Sequence, residues 1–472
     1  MRYRLPATLA LLALACSLSA GVQAAPSDAF VASPYVQIGN APQQGTRDTL
    51  AVLWLAPDLD AAWSVEYRSA NGPWRKAARP TYRRVTAANV VAHRVYRTVL
   101  GGLLPGEVIA YRVARNGAVV FESSAQARKA ATAPTRFVIF GDCGDGSAAE
   151  KRIAYQTYAL KPDYVVIPGD IIYGSGLISQ YLPHYFPVYN ADEASDSAGA
   201  PLIRSTPFIG LLGNHDVNGR DLGSNPDGLA YYLYFDLPLN GPRLAEGDPG
   251  ATPLDGDDDA KRAFRMAAGP AYPRMANYSF DYGNVHWTVL DANPYVNWND
   301  PDLREWLIGD LRRAKRADWR FVTFHQPGFS SSKGHFSEQH MRRLAPIFER
   351  YGVDVVWAGH VHNYQRSKPL RFAPDQTAWS LGPVAGKFAF DDAYDGDRVT
   401  RAHGVIYIVT GGGGASLYDP DQQDAPNTWQ PFTVRFLSRV HSLTVAEIDG
   451  RRMTVRQIDE FGKEQDRWVL TK

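Results

Sequence analysis

Five apolar runs, FVIFGD, YVVIPGD, FIGLLGNHD, FVTFHQP and VVWAGHVH, each stop at a residue able to ligate a cation. They deliver Asp142, Asp170, Asn214 with His215 and Asp216 behind it, His325, and His360 with His362. Short apolar runs bounded by glycine read as strands buried on both faces. Helical patterns stand between them. SAAEKRIAYQTYAL opens on a capping box of Ser147 and Glu150 and stops at Pro162. DLREWLIGDLRRAKR puts Leu303, Trp306, Leu307 and Leu311 on one face behind Pro301. EQHMRRLAPIFERYG predicts a helix carrying His340, restarted at Pro346 and closed by Gly352. Alternating strands and helices constrain the chain from Arg136 onward to an α/β domain. Such domains gather their sites at the carboxyl ends of strands, where loops let side chains converge.

The chain before Arg136 has a different texture. From Ser33 to Ala127 short alternating strands recur around Gly, Pro and Asn with no helical period, which predicts a β-sandwich over residues 30–128. SAQARKAATAPT follows as a linker, and the second domain is placed at 135–472. Within it, Gly219 to Tyr272 reads as long loops, with Asp257-Asp258-Asp259 a solvated run. SLTVAEIDGRRMTVRQID reads as a closing hairpin with an Asp-Gly turn.

MRYRLPATLALLALACSLSAGVQA has a basic start, an apolar run and a small-x-small end, which predicts a secretory signal over residues 1–24. Its apolar run is too short for a membrane anchor, and Ala13-Leu14-Ala15 before Cys16 is a poor lipidation site. A periplasmic or secreted protein is expected, with Cys143 the sole remaining thiol and stability resting on core burial. Hydrophobic residues at 45% and charged residues at 21% exclude a disordered chain. The net charge of +1, falling to −1 without Arg2 and Arg4, gives no electrostatic reason to expect nucleic acid or an anionic membrane. Oligomeric state stays open.

Two carboxylates, one amide and three imidazoles exceed what one tetrahedral ion can use. They suit two ions of the Zn, Fe or Mn type that share a carboxylate. The ordered series GD, GDxx, GNHD, H and GHxH, from Asp142 to His362, resembles the metallophosphoesterase signature. Most members of that superfamily carry Asp-x-His in the first motif, where this chain has Asp142-Cys143-Gly144. The missing ligand reappears as Tyr173 in GDIIY, and that exchange, with AGHVHNYQRS, is similar to the purple acid phosphatase family. The segment YRTVLGGLLPGEVIAYRV likewise resembles a corner of fibronectin type III-like domains, which precede the catalytic domain in large members of that family.

The resemblance implies a sandwich of two mixed β-sheets flanked by helices, behind an all-β fibronectin III-like domain. It implies Fe(III) held by Asp142, Tyr173, His362 and a bridging Asp170. A divalent ion (Fe, Zn or Mn) would be held by Asn214, His325, His360 and the same Asp170. A phenol with a pKa near ~10 ionises readily only beside a strongly acidic ion. The implied reaction is hydrolysis of small phosphomonoesters at acidic pH by metal-bound hydroxide. His215 would contact phosphate, Asp216 would orient it, and His335 would protonate the leaving group. Tyr364 and Arg366 are placed at the pocket wall. His286 reads as a packed strand residue, and Gly411 to Gly414 as a tight turn. The alternatives are a phosphodiesterase or nucleotide pyrophosphatase on the same site, or a surface adhesion protein with a silent catalytic domain.

Overall fold

The computed structural model describes residues 29–472; the signal segment expected at 1–24 lies outside them. The eight strands from Ala32–Gln37 to Ala118–Gln126 form two antiparallel four-stranded sheets. This arrangement fits a fibronectin type III-like sandwich. The strand Asp48–Pro57 breaks the alternation expected of such sheets because it has a core on each side. Leu50, Val52, Trp54 and Ala56 fill the sandwich, while Ala51, Leu53 and Leu55 join the core of the following α/β unit. At about 1.5–3 kcal/mol for each large aliphatic side chain buried, this one strand does much to fasten the two units together.

The segment read as a linker is a rigid joint. Arg128 is buried, and its guanidinium donates to Asp48 at 2.6 Å, to the Ala41 carbonyl at 2.9 Å and to the Asp281 carbonyl at 3.1 Å. A buried guanidinium is tolerated only when paired and saturated with acceptors in this way.

Two mixed sheets follow. The first runs, in spatial order, Phe208–Gly210, Tyr164–Ile167, Thr135–Ile139, Ser442–Asp449, Arg452–Asp459 and Glu464–Thr471. Its first three strands are parallel, and the closing hairpin turns through Gly450 and Arg451, with Asp449 still paired to Arg452. The second sheet runs Tyr278–Tyr282, Val285–Val289, Trp319–Thr323, Val355–Ala358, Ile406–Thr410, Tyr364–Ser367 and Thr433–Leu437. Four of its strands, Val285–Val289, Trp319–Thr323, Val355–Ala358 and Ile406–Thr410, are parallel. The sheets meet face to face through aromatic side chains. Phe137 packs edge-on against Trp287 and Trp357, with ring centroids 5.2 and 5.8 Å away. Helices Pro301–Arg313 and Ala345–Tyr351 cover the outer face of the second sheet, where Leu303, Leu307 and Leu311 are buried.

Three local readings need correction. Ser147 caps the helix Ala148–Leu160, but the Glu150 carboxylate accepts from the Gly146 amide at 2.7 Å, one residue before the cap. The acidic run is not a solvated loop: Asp257 accepts from the Ala260 amide at 2.8 Å and starts the helix Asp258–Ala268. Acidic residues favour a helix N-terminus because unpaired amides and the helix dipole meet them there. The chain after Glu338 is a tight turn at His340–Leu344 that becomes α-helical only at Ala345–Tyr351, ending on Gly352 at φ +66°.

His286 is indeed a buried strand residue, but it is a charged one. Its ring nitrogens lie 2.7 Å from Asp281 Oδ1 and 3.0 Å from Asp310 Oδ2. Burial works against its charge, yet the two carboxylates raise its pKa to about 9. The folded value exceeds the unfolded one, so the stabilisation is complete below about pH 6.5 and lost as pH rises through about 9. His286→Gln should therefore cost about 3 kcal/mol at pH 6 and clearly less at pH 10, read by urea unfolding. Equal losses at both pH values would remove the charge from the explanation.

Candidate metal centre

All five runs end at the same edge of the sandwich. Asp142, Asp170 and Asn214 leave three adjacent parallel strands of the first sheet. His325 and His360 leave two adjacent parallel strands of the second. Asp142, Asp170 and His360 all turn off their strands in the left-handed region, at φ +59°, +48° and +68°. For non-glycine residues that geometry costs free energy and persists only where surrounding bonds enforce it.

Those bonds run from one motif to the next. The Asp142 carboxylate accepts from the His360 amide at 2.9 and 3.0 Å. Asp170 Oδ1 accepts from the His215 amide at 2.8 Å. Close approach is a condition of this geometry. A Cβ on Gly213 would stand 2.1 Å from Asp170 Oδ1, and one on Gly411 would stand 2.4 Å from the Val361 carbonyl and 2.6 Å from Asp142 Oδ2. Gly411 is thus a close-packed backing for Asp142, and Gly412 to Gly414 pack against Ser442, Gly141 and Glu150, so the run is not the tight turn read from its composition.

Two donor groups emerge. Tyr173 Oη lies 2.8 Å from His362 Nε2 and 3.3 Å from both Asp142 Oδ1 and Asp170 Oδ2. His325 Nε2 lies 3.1 Å from Asp170 Oδ2 and 3.2 Å from Asn214 Oδ1, and its ring is 4.9 Å from that of His360. Donors bonded to one transition ion at about 2.0–2.2 Å stand about 3 Å apart, so both groups have the spacing of an ion site. Asp142, Asp170 and His362 form one set able to hold an ion, and Asp170, His325 and His360 another, with Asp170 common to both.

The ring nitrogens are sorted in the same sense. His325 Nδ1 donates to the Pro168 carbonyl at 2.8 Å and His362 Nδ1 to the Ser416 carbonyl at 2.7 Å, which leaves Nε2 of each ring facing the carboxylates. Electrostatics points the same way. Burial raises Asp170, but the charges of His325, His215 and His360 bring it well below the ordinary carboxylate range. Burial likewise disfavours charge on His325, yet Asp170 lifts it to about 9, so that a proton sits where a cation would serve. Burial and the charges of Asp142 and Asp170 push the Tyr173 phenol well above its ordinary value. Only a strongly polarising cation could ionise it there.

His215 packs against Tyr173 with ring centroids 4.4 Å apart and the planes tilted by 40°, its Nδ1 2.8 Å from the Gly174 carbonyl and its Nε2 4.0 Å from Asp170 Oδ2. Asp216 does not orient it. The Asp216 carboxylate accepts from the Gly213 amide at 2.8 Å and the Ile171 amide at 3.2 Å, tying the Asp170 and Asn214 loops together. Burial and the neighbouring Asp170 charge raise it to about 8. Tyr364 and Arg366 are not at the pocket wall either; both donate to Asp466, at 2.9 and 2.8 Å.

His335 reaches the site, with its ring 4.1 Å from that of His360. Two residues that sequence reasoning missed stand with it. Glu338 accepts from His335 Nδ1 at 2.6 Å and from His360 Nε2 at 2.9 Å. Tyr418 stacks on His362 at 4.0 Å, with an interplanar angle of 11°. The three-residue spacing of His335 and Glu338 was the available signal for the first. Tyr418 had none, being brought in by the chain after Gly414. Gly411→Ala, whose methyl would displace the Asp142 carboxylate, should weaken metal binding about tenfold or more while far-UV circular dichroism stays native. Full metal content on elemental analysis would refute the backing role.

Residues 135–364 match the calcineurin-like phosphoesterase family. Purple acid phosphatase 21 of Arabidopsis thaliana is 24% identical over 332 residues, covering 69% of this chain and 65% of that protein. A nucleotide pyrophosphatase/phosphodiesterase of Hordeum vulgare is 27% identical over 312 residues, covering 60% of this chain and 69% of that protein. The structure of purple acid phosphatase PPD1 from yellow lupin superposes with a TM-score of 0.62 at 17% identity, over 93% of this chain and 74% of that one, and so shares the fold. The chain thus spans a little under two thirds of its Arabidopsis relative. The strands at 442–471 lie outside the matched range but complete the same sheet. Residues 135–364 thus match the calcineurin-like phosphoesterase family, and the chain around them is similar to purple acid phosphatases.

Proposed function

We propose that this protein is an exported acid phosphatase of the purple acid phosphatase type, hydrolysing small phosphomonoesters at a pair of metal ions. The observation that carries this reading is the pair of buried donor groups sharing Asp170, with a tyrosine in one of them. Fe(III) would be held by Asp142, Asp170, Tyr173 and His362. A divalent Fe, Zn or Mn would be held by Asp170, Asn214, His325 and His360. Two such ions, when bound, supply an acidified water as nucleophile and positive charge for phosphate oxygens.

The chain's own residues do the rest. His215, its Nδ1 bound to a backbone carbonyl, keeps Nε2 for a phosphate oxygen. His335, with Nδ1 on Glu338, keeps Nε2 to pass a proton to the leaving oxygen. Loops packed around the buried carboxylates exclude water, which strengthens each of these interactions. Export rests on the leader sequence, and no helix among the described residues is long and apolar enough to cross a membrane.

The barley relative named a nucleotide pyrophosphatase/phosphodiesterase supports a second reading, a diesterase on the same centre. A silent adhesion protein is disfavoured by the complete donor set. Protein purified without chelators and assayed on mono- and bis-nitrophenyl phosphate decides among them. Faster monoester hydrolysis at acidic pH is expected, faster diester hydrolysis would favour the second reading, and inactivity with added iron and zinc would overturn both. Tyr173→Phe should abolish the visible phenolate-to-iron absorption while some hydrolysis survives; an unchanged spectrum would refute phenolate ligation.

A further inference from the structure

Of the three histidines in the donor groups, two have one ring nitrogen fixed by a backbone carbonyl. His360 is fixed by a side chain instead, and that side chain, Glu338, also holds His335. We propose that Glu338 is a positioning residue that sets the tautomers of His360 and His335 together, making one carboxylate responsible for both a metal ligand and the proton donor. The proposal rests on the roles given above to those two histidines.

The argument is one of hydrogen-bond valence. An ionised carboxylate only accepts, so each ring nitrogen facing it carries hydrogen. His360 is then the Nε2–H tautomer, and its Nδ1 lone pair is free to bind a cation. His335 is held through Nδ1–H, so the proton it can transfer is the one at Nε2. A histidine ligand held from behind by a carboxylate is also a stronger donor.

The loop that brings Glu338 is itself anchored. The Gly334 amide donates to Asp419 Oδ2 at 3.0 Å, the Ser332 hydroxyl donates to the same oxygen, and the Glu338 amide donates to the His335 carbonyl at 3.0 Å. His335 sits at φ +57°, the same costly backbone region as Asp142 and His360. One loop thus presents both histidine contacts in a fixed relation.

Glu338→Gln is the discriminating variant, because it keeps the shape and changes the valence. An amide can accept from one ring but must donate to the other, and that ring has to move its hydrogen to its far nitrogen. If the ring is His360, hydrogen lands on the ligating nitrogen; if His335, its outward tautomer inverts. Metal-free protein labelled with nitrogen-15 histidine should show, at mildly alkaline pH, His360 with hydrogen on Nε2 and His335 with hydrogen on Nδ1. Assignments come from His360→Gln and His335→Gln. In Glu338→Gln one of the two should switch. Zinc titration against a competing chelator should find binding at the second site about 10- to 100-fold weaker in Glu338→Ala, and weaker in Glu338→Gln when His360 is the ring that switches. The Tyr173 absorption should persist with iron bound.

Unchanged tautomers in Glu338→Gln would overturn the proposal, as would unchanged zinc affinity in Glu338→Ala. So would a metal-bound crystal structure with a Glu338 oxygen bonded directly to the ion, which would make it a ligand. Should the protein bind no transition metal at all, the proposed function fails, while the metal-free tautomers still decide the role of Glu338.

Discussion

Two carboxylates, Asp142 and Asp170, are buried at the ends of neighbouring strands, and the rest of the molecule is arranged around that fact. Ionised carboxylates do not survive burial without counter-charge and hydrogen-bond donors. Here the donors are backbone amides of other motifs, and the counter-charge in the chain alone is a proton on His325. Histidine pays only part of that debt, since three imidazoles must also satisfy a buried phenol and a second carboxylate. Two cations sharing Asp170 would satisfy all of them at once.

This explains why residues scattered along the chain form one rigid object. Asp142 is held by the His360 amide, Asp170 by the His215 amide, and the loops of Asp170 and Asn214 by Asp216. The left-handed backbone at Asp142, Asp170 and His360 is the strain this mutual bracing sustains. The parallel strands behind the site, packed through Phe137 and the tryptophans, supply the stiffness. The β-sandwich adds to it from outside: Tyr234, in the short helix Tyr231–Tyr234, has its hydroxyl 3.0 Å from His93 Nε2, and its carbonyl accepts from Tyr35 at 2.8 Å.

Some readings from the sequence went astray for a common reason. The linker around Arg128, the acidic run at Asp257 and the glycine run at Gly411 were judged from local composition, and the partner of Asp216 from a resemblance. Each was decided by a group far away in sequence or by the start of an element. Arg128 meets Asp48 across 80 positions, and the Asp216 carboxylate meets the Ile171 amide across 45. Composition carries no information about such meetings. The helices Ala148–Leu160 and Pro301–Arg313, by contrast, were readable because caps and apolar spacing act within a few residues.

The sequence by itself determined which residues end the five strands, and therefore the chemical character of the candidate centre: oxygen and imidazole donors, with the Tyr173 phenol among them. That follows because strand, turn and ligand lie within a few residues of one another. Only the tertiary structure decided which nitrogen of each histidine is free, that Asp216 braces loops instead of His215, and that Glu338 spans His360 and His335. Those are matters of hydrogen-bond direction between distant segments, and direction exists only once the sheets have brought the segments together.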